Sequence, residues 1–236
     1  MRELMGQLKR AMVFRRLRAT KLLQNGVFLV VLFTFFAWSL RVAFVSFDTL
    51  SDLTLAGVLN EGFRAVIFVG PVLIYLRCVE RAPALEFLRL NKPRKNAAWV
   101  LALTGTLFIV WYLLLDGVIG DGRISGAAPA VVLFTVLSPA TLVEEVYFRG
   151  FLLNKFWQVM GFWRANLASS SLFALIHFSG WFALGNFSSP LVVADALGIL
   201  ALGMVFGWAM KKTGSLWPAY VLHALNNLLV VAVLGA

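Results

Sequence analysis

Residues 138–153 read Ser138-Pro139-Ala140-Thr141-Leu142-Val143-Glu144-Glu145-Val146-Tyr147-Phe148-Arg149-Gly150-Phe151-Leu152-Leu153. Two adjacent glutamates and an arginine stand in a run that is otherwise mostly apolar, from about 127 to 153. Roughly 20 residues at helical rise cross the hydrocarbon core of a bilayer, so this run is long enough to span it. An ionisable side chain is expensive in hydrocarbon, so charges in such a run face the inside of a helical bundle and mark a functional site by default.

The rest of the chain is of the same kind. Of 236 residues 61% are hydrophobic and 14% charged, with mean hydropathy +0.85. A soluble domain is nearer half apolar and a quarter charged. The apolar excess excludes intrinsic disorder, and a lone cysteine, Cys78, excludes a disulfide scaffold within the chain. No run alternates with period two between turn signals, which argues against a β-barrel. The expected fold class is all-α, a polytopic bundle of about seven spans near 25–47, 62–79, 97–119, 127–153, 165–187, 190–210 and 214–235. The second is short and carries Gly70-Pro71, so a kink is expected there.

Charge sets direction. Residues 1–24 hold seven basic side chains against one acid, Glu3, and read as a cytoplasmic amphipathic arm before an uncleaved first helix. Asp48, Asp52 and Glu61 mark an outer loop, with Arg64 following. Arg77, Arg81, Arg89, Lys92, Arg94 and Lys95 return the chain inside. With Asp116 and Asp121 outside and Lys155, Arg164, Lys211 and Lys212 inside, all 21 basic residues but Arg41, Arg64 and Arg123 fall on one face. The N-terminus is therefore expected in the cytoplasm, and Arg41 is expected to reach the outer headgroups. The net charge of +10 follows the loops beside anionic lipid, so the expected partner is the bilayer and not nucleic acid.

Three spans of the C-terminal half carry polar groups: Glu144, Glu145 and Arg149 in the fourth, His177 after Phe173 in the fifth, His223 and Asn227 in the seventh. Both histidines of the chain are among them. Counted at helical rise, Glu144, His177 and His223 lie about 14, 18 and 14 Å from the inner face. Glu145 and Arg149 are four apart, on one helix face, and suit an ion pair. Glu144 is turned about 100° from Glu145 and is free to face another helix. His223 and Asn227 again share a face. A carboxylate, two imidazoles and an amide suffice to activate water and hold an oxyanion. The same residues also suit interhelical hydrogen bonding without chemistry, or a zinc site of Glu144, His177 and His223. A proton-coupled transporter would likewise bury Glu and His, but the paired inverted repeats it predicts are not seen.

At these residues the chain resembles the CAAX-protease and bacteriocin-processing (CPBP) intramembrane proteases, also called the Abi or type II CAAX prenyl endopeptidase family. Its pattern is Glu-Glu-x-x-x-Arg, Phe-x-x-x-His and His-x-x-x-Asn or Asp, matched here by Glu144, Glu145 and Arg149, by Phe173 and His177, and by His223 and Asn227. The flanks Tyr147-Phe148-Arg149-Gly150 and Thr213-Gly214-Ser215-Leu216-Trp217 agree, and the resemblance covers about 127–232 of a bundle taken as 25–236. It implies a membrane endopeptidase acting on membrane-associated or lipidated protein or peptide substrates, in the plasma (inner) membrane with its site towards the cytoplasm. It implies further that Glu144 is the general base, that His177 shares the water, and that His223 and Asn227 polarise the scissile carbonyl. Glu145, Arg149 and Phe173 would support them. Members have been described both as metalloproteases and as metal-independent glutamate peptidases, and the expectation here is no cofactor, with zinc the alternative. A catalytically silent immunity or scaffold protein of the same family is the other functional reading.

Overall fold

The computed structural model describes residues 25–44, 55–90, 96–119, 139–185, 187 and 191–230, with side chains only at 59–90 and 96–114 in the second and third of these. The arm 1–24 and the part of the fourth span at 127–138 lie outside the described residues. Among those described, every regular element is a helix. Four helices are long and apolar enough to cross a membrane by length and composition: Asn25–Phe44, Leu59–Glu80, Ala97–Leu114 and Leu191–Thr213.

Helix α1 (Asn25–Phe44) buries Val27, Val30, Thr34, Trp38 and Arg41, a stripe at spacings of three and four, while Phe28, Leu29, Phe33 and Phe36 point outward. A helix whose outward face is this apolar suits lipid better than water. The buried face also corrects an expectation. Arg41 is 8% exposed, and its Nη2 donates to Asn60 Oδ1 on the next helix while its guanidinium lies 4.8 Å from the Trp38 ring. A partner inside the bundle holds it against the next helix.

Helix α2 (Leu55–Tyr75) continues as a π segment, Leu76–Glu80, so the second span is longer than its apolar run. Glu61 and Arg64, read as part of an outer loop and its edge, are helical, because each finds an opposite charge within the bundle. Pro71 sits inside α2 and has no N–H to give to the carbonyl four residues earlier. Thr34 Oγ1 of α1 donates to that freed carbonyl, Ile67 O, at 3.4 Å.

A short α3 (Ala84–Phe87) and the residues after it close one end of the bundle. Asn154 takes the Arg89 Nε–H on its Oδ1 at 3.0 Å and donates from Nδ2 to Phe87 O and Gly150 O. Leu216 N–H and Trp217 Nε1–H donate to the carbonyls of Arg89 and Leu90. Lys155 pairs with Glu80 at this end.

Helix α4 (Ala97–Ile119) packs on the last helix. Helix α5 is the axis of the fold and has three parts: α-helical Pro139–Glu145, π-helical Val146–Leu153 and α-helical Asn154–Met160. Tyr147, Phe148, Phe151, Leu152 and Leu153 are fully buried. The departure from α geometry thus begins directly after the glutamate pair; Pro139, where a bend was expected, is the first described residue of α5. The Phe148 carbonyl within the π segment accepts the Ser169 hydroxyl at 2.6 Å.

Gly161, at φ +76°, turns the chain into α6 (Phe162–Ala183). α6 lies along α7 (Leu191–Thr213), where small residues let the backbones approach. A Cβ at Gly203 would stand 2.9 Å from Ser170 Cβ and from Arg149 Nη2, and one at Gly207 would collide with the Asn166 amide. Gly214, at φ +71°, separates α7 from α8 (Trp217–Leu229), which starts with Pro218 in its first turn.

Candidate active site

The α5, α6 and α8 motifs meet in two levels. The deeper one is built on Glu145, fully buried on α5. Its Oε1 accepts from Arg149 Nη1 at 2.8 Å, as the spacing of four suggests, and it also meets His223 Nδ1 of α8 at 2.9 Å. The expected Glu145–Arg149 pair is present, and the same carboxylate oxygen also joins the motif of His223. Arg149 is 1% exposed and lies against aromatic faces, 4.1 Å from the Phe173 ring and 5.2 Å from that of Phe206. Cation–π attraction offsets part of its desolvation where water is excluded. Phe206 stacks on the His223 ring at 5.0 Å, and Phe173 meets both His177 and His223 edge to face. Phe173 is thus the spacer that holds the two imidazoles apart at fixed angles.

The shallower level is a cavity of about 220 Å³. Glu144, His177, Arg64 and Trp38 line it, with Trp181 and Ile176. Glu144 and Glu145 diverge as the 100° step requires, one towards the cavity and one into the bundle. His177 Nδ1 is 2.7 Å from Phe173 O one turn earlier. A carbonyl oxygen only accepts, so Nδ1 carries the proton and the neutral ring presents a lone pair at Nε2. A base or acceptor at a water needs that form.

Asn227 is placed by a chain of side-chain bonds: Tyr112 Oη donates to Asn226 Oδ1 at 2.9 Å, Asn226 Nδ2 to Asn227 Oδ1 at 3.4 Å, and Asn227 Nδ2 to Thr141 Oγ1 at 3.2 Å. In this arrangement Asn227 Nδ2 faces Thr141 and has a second hydrogen to give. His223 and Asn227 are not among the side chains lining the cavity. The structure therefore joins Glu144 with His177, and Glu145 with Arg149 and His223, and carries Asn227 on Thr141.

As a zinc set, Glu144, His177 and His223 are not gathered: among the described residues no three His, Cys, Asp or Glu side chains group as metal ligands. His223 does have the carboxylate partner that zinc-bound histidines commonly have. The donor set as it stands does not fit a metal, and no step is routed through one.

Three cavity residues, Trp38, Arg64 and Phe68, come from the N-terminal half, which carries none of the motifs. Arg64 Nη1 lies 3.6 Å from Glu61 Oε1 and 3.9 Å from Glu144 Oε1, and its guanidinium is 5.0 Å from the Trp38 ring. The signal for Arg64 was present in the charge pattern: it was one of the three basic residues that the one-face rule left over.

No curated protein and no solved structure matches the chain. Residues 124–229 match the family model described as type II CAAX prenyl endopeptidase Rce1-like, a family of proteases, and all three motifs lie within that stretch.

Proposed function

We propose that the protein is an intramembrane, glutamate-dependent endopeptidase acting on membrane-associated or lipidated protein or peptide substrates. The observation that carries this is the shared cavity: Glu144 and His177, from two family motifs, line one space large enough for several waters, with the His177 Nε2 lone pair unspent. Glu144 takes a proton from the water as the water oxygen attacks the scissile carbonyl carbon, and His177 Nε2 accepts the water's second hydrogen bond. The carbonyl oxygen gains the negative charge, and His223 and Asn227, which lie outside the cavity lining, would have to turn towards it to share that charge. While His223 Nδ1–H is spent on Glu145, Nε2 can donate only from a doubly protonated ring, its charge facing that carboxylate. Collapse of the intermediate breaks the C–N bond, and the proton held by Glu144 goes to the leaving amine. The products are a new carboxylate and a new amine.

The long apolar helices and the family match fit an integral membrane protein. We extend this to seven spans with a cytoplasmic N-terminal arm at 1–24, a catalytic region at about 127–232, and a site facing the cytoplasmic half of the plasma (inner) membrane. An apolar cavity of about 1220 Å³ between α1 and α6, lined by Phe35, Phe44, Leu175 and Phe182, shares Ile176 and Leu184 with the site and has room for a lipid chain on a substrate. The experiment is cleavage of a membrane-anchored reporter library by the purified protein. Loss of the base should lower the rate by roughly 10²–10⁴-fold in Glu144→Ala while the protein stays folded in the membrane. A folded variant lacking both Glu144 and His177 side chains that cleaves as the wild type does would overturn the proposal.

A further inference from the structure

The site cavity holds a cation that none of the three motifs supplies. Arg64 of α2 lines it beside Glu144 and His177, and among the described residues it is the one lining side chain of fixed positive charge. It hangs between two carboxylates on separate helices, its Nη1 3.6 Å from Glu61 Oε1 and 3.9 Å from Glu144 Oε1. Both distances are too long for hydrogen bonds. Its Nε is buried without a hydrogen-bond partner, and Trp38 backs the guanidinium at 5.0 Å from its ring. Arg64 is thus kept beside Glu144 by charge and shape, with hydrogen-bonding capacity unspent.

Charge counting gives that capacity a use. At rest Arg41 and Arg64 are balanced by Glu61 and Glu144. In the attack a water proton passes to Glu144, the water oxygen bonds to the carbonyl carbon, and the C=O π pair moves onto the carbonyl oxygen. Glu144 becomes neutral as that oxygen becomes negative, so the total charge of the cluster and substrate does not change. The negative charge only moves, from a carboxylate 3.9 Å from Arg64 to an oxygen in the same cavity of about 220 Å³. A guanidinium already largely desolvated beside Glu144 can follow it with little further desolvation, and such preorganised charge counts for most where water is scarce. His223 and Asn227 do not line this cavity, and Arg64 does.

We propose that Arg64 is a catalytic residue that binds the oxyanion: it pairs with Glu144 at rest and passes to the tetrahedral intermediate when Glu144 takes the proton. This rests on the peptidase reading above, so binding is measured apart from cleavage. Glu144→Gln sets the protein's own charges as they stand in the intermediate. That full-length variant, in nanodiscs, is titrated with two isosteres of one N-acylated apolar peptide, an anionic phosphinate and a neutral ketomethylene. The phosphinate should bind at least about tenfold more tightly, and Arg64→Gln in the same background should remove the contrast. With Glu144 intact, Arg64→Gln should lower kcat by roughly 10²–10³-fold and leave KM within about twofold, and Arg64→Lys should restore part of the loss. Equal binding of the two isosteres, including no binding of either, overturns the assignment. A contrast that persists in Arg64→Gln also overturns it and gives the oxyanion to other donors. If Arg64→Gln does not fold, Arg64→Lys decides: a weakened contrast supports Arg64, and an unchanged one overturns it. An Arg64-dependent contrast without cleavage by the wild type would keep the anion site and remove the peptidase. Cleavage with a kcat that Arg64→Gln leaves unchanged would do the reverse.

Discussion

The two halves of this bundle hold their buried charges at different distances. In α5, α6 and α8 the charges are close-coupled: Glu145, Arg149 and His223 meet at 2.8 and 2.9 Å among aromatic faces. In α1 and α2 Arg64 reaches its carboxylates only at 3.6 and 3.9 Å, and donor atoms are left over. Neither cluster is saturated, since Glu145 Oε2 and Arg149 Nη2 are also buried without a hydrogen-bond partner; what differs is how closely the charges that meet approach one another. The difference separates a part of the site whose geometry is fixed by short contacts from a part held by longer ones.

The comparison breaks most readily at Arg149. Replacing it with Met strands the buried Glu145 carboxylate beside His223 and should destabilise the protein by about 3–5 kcal/mol. Thermal unfolding in detergent would show this as a large fall in Tm, while Arg149→Met with Glu145→Gln should recover much of it. An equal loss in the double variant would mean that the pair is not coupled. The glycines give the next contrast. Gly203→Ala pushes a Cβ against Ser170 and Arg149 and should cost about 1–3 kcal/mol. Gly70→Ala in α2 meets nothing within 4 Å and should hold Tm or raise it slightly, by up to about 1 kcal/mol of helix propensity. A smaller effect sharpens the α1–α2 side: Thr34→Val removes the donor from Ile67 O and should cost about 1 kcal/mol. Most of that should vanish in a Pro71→Ala background, where the backbone N–H gained by the substitution serves the carbonyl. The smallest expected effect is none at all. Exhaustive treatment with a zinc chelator should leave cleavage intact, and activity that falls and returns with added zinc would make Glu144, His177 and His223 ligands.

The C-terminal half was legible because its chemistry repeats at helical spacing. Glu145 and Arg149, and His223 and Asn227, are four apart, and a regular helix brings such residues to one face whatever surrounds them. The helices themselves followed from apolar length. What could not be read was any relation between helices of different halves. The His223–Glu145 contact spans 78 residues and that of Arg64 with Glu144 spans 80, and no local period encodes either. Arg41 misled because a lone arginine near a span end suits a headgroup as well as a buried Asn60. The second span was drawn too short for a related reason: hydropathy counts Glu61 and Arg64 as polar without knowing that they neutralise one another's surroundings.

The π segment at Val146–Leu153 has a consequence for anyone altering this helix. Along an α-helix each residue advances the azimuth by about 100°, so a single deletion inside the segment would not merely shorten α5. It would swing the part beyond it by about that angle. Glu144 and Glu145 would keep their bearings, while Asn154 and Lys155 would turn from the carbonyls and the carboxylate they now hold. The two ends of α5 are thus clocked against each other by one stretch of wide helix, and a one-residue change in length there is a change of direction.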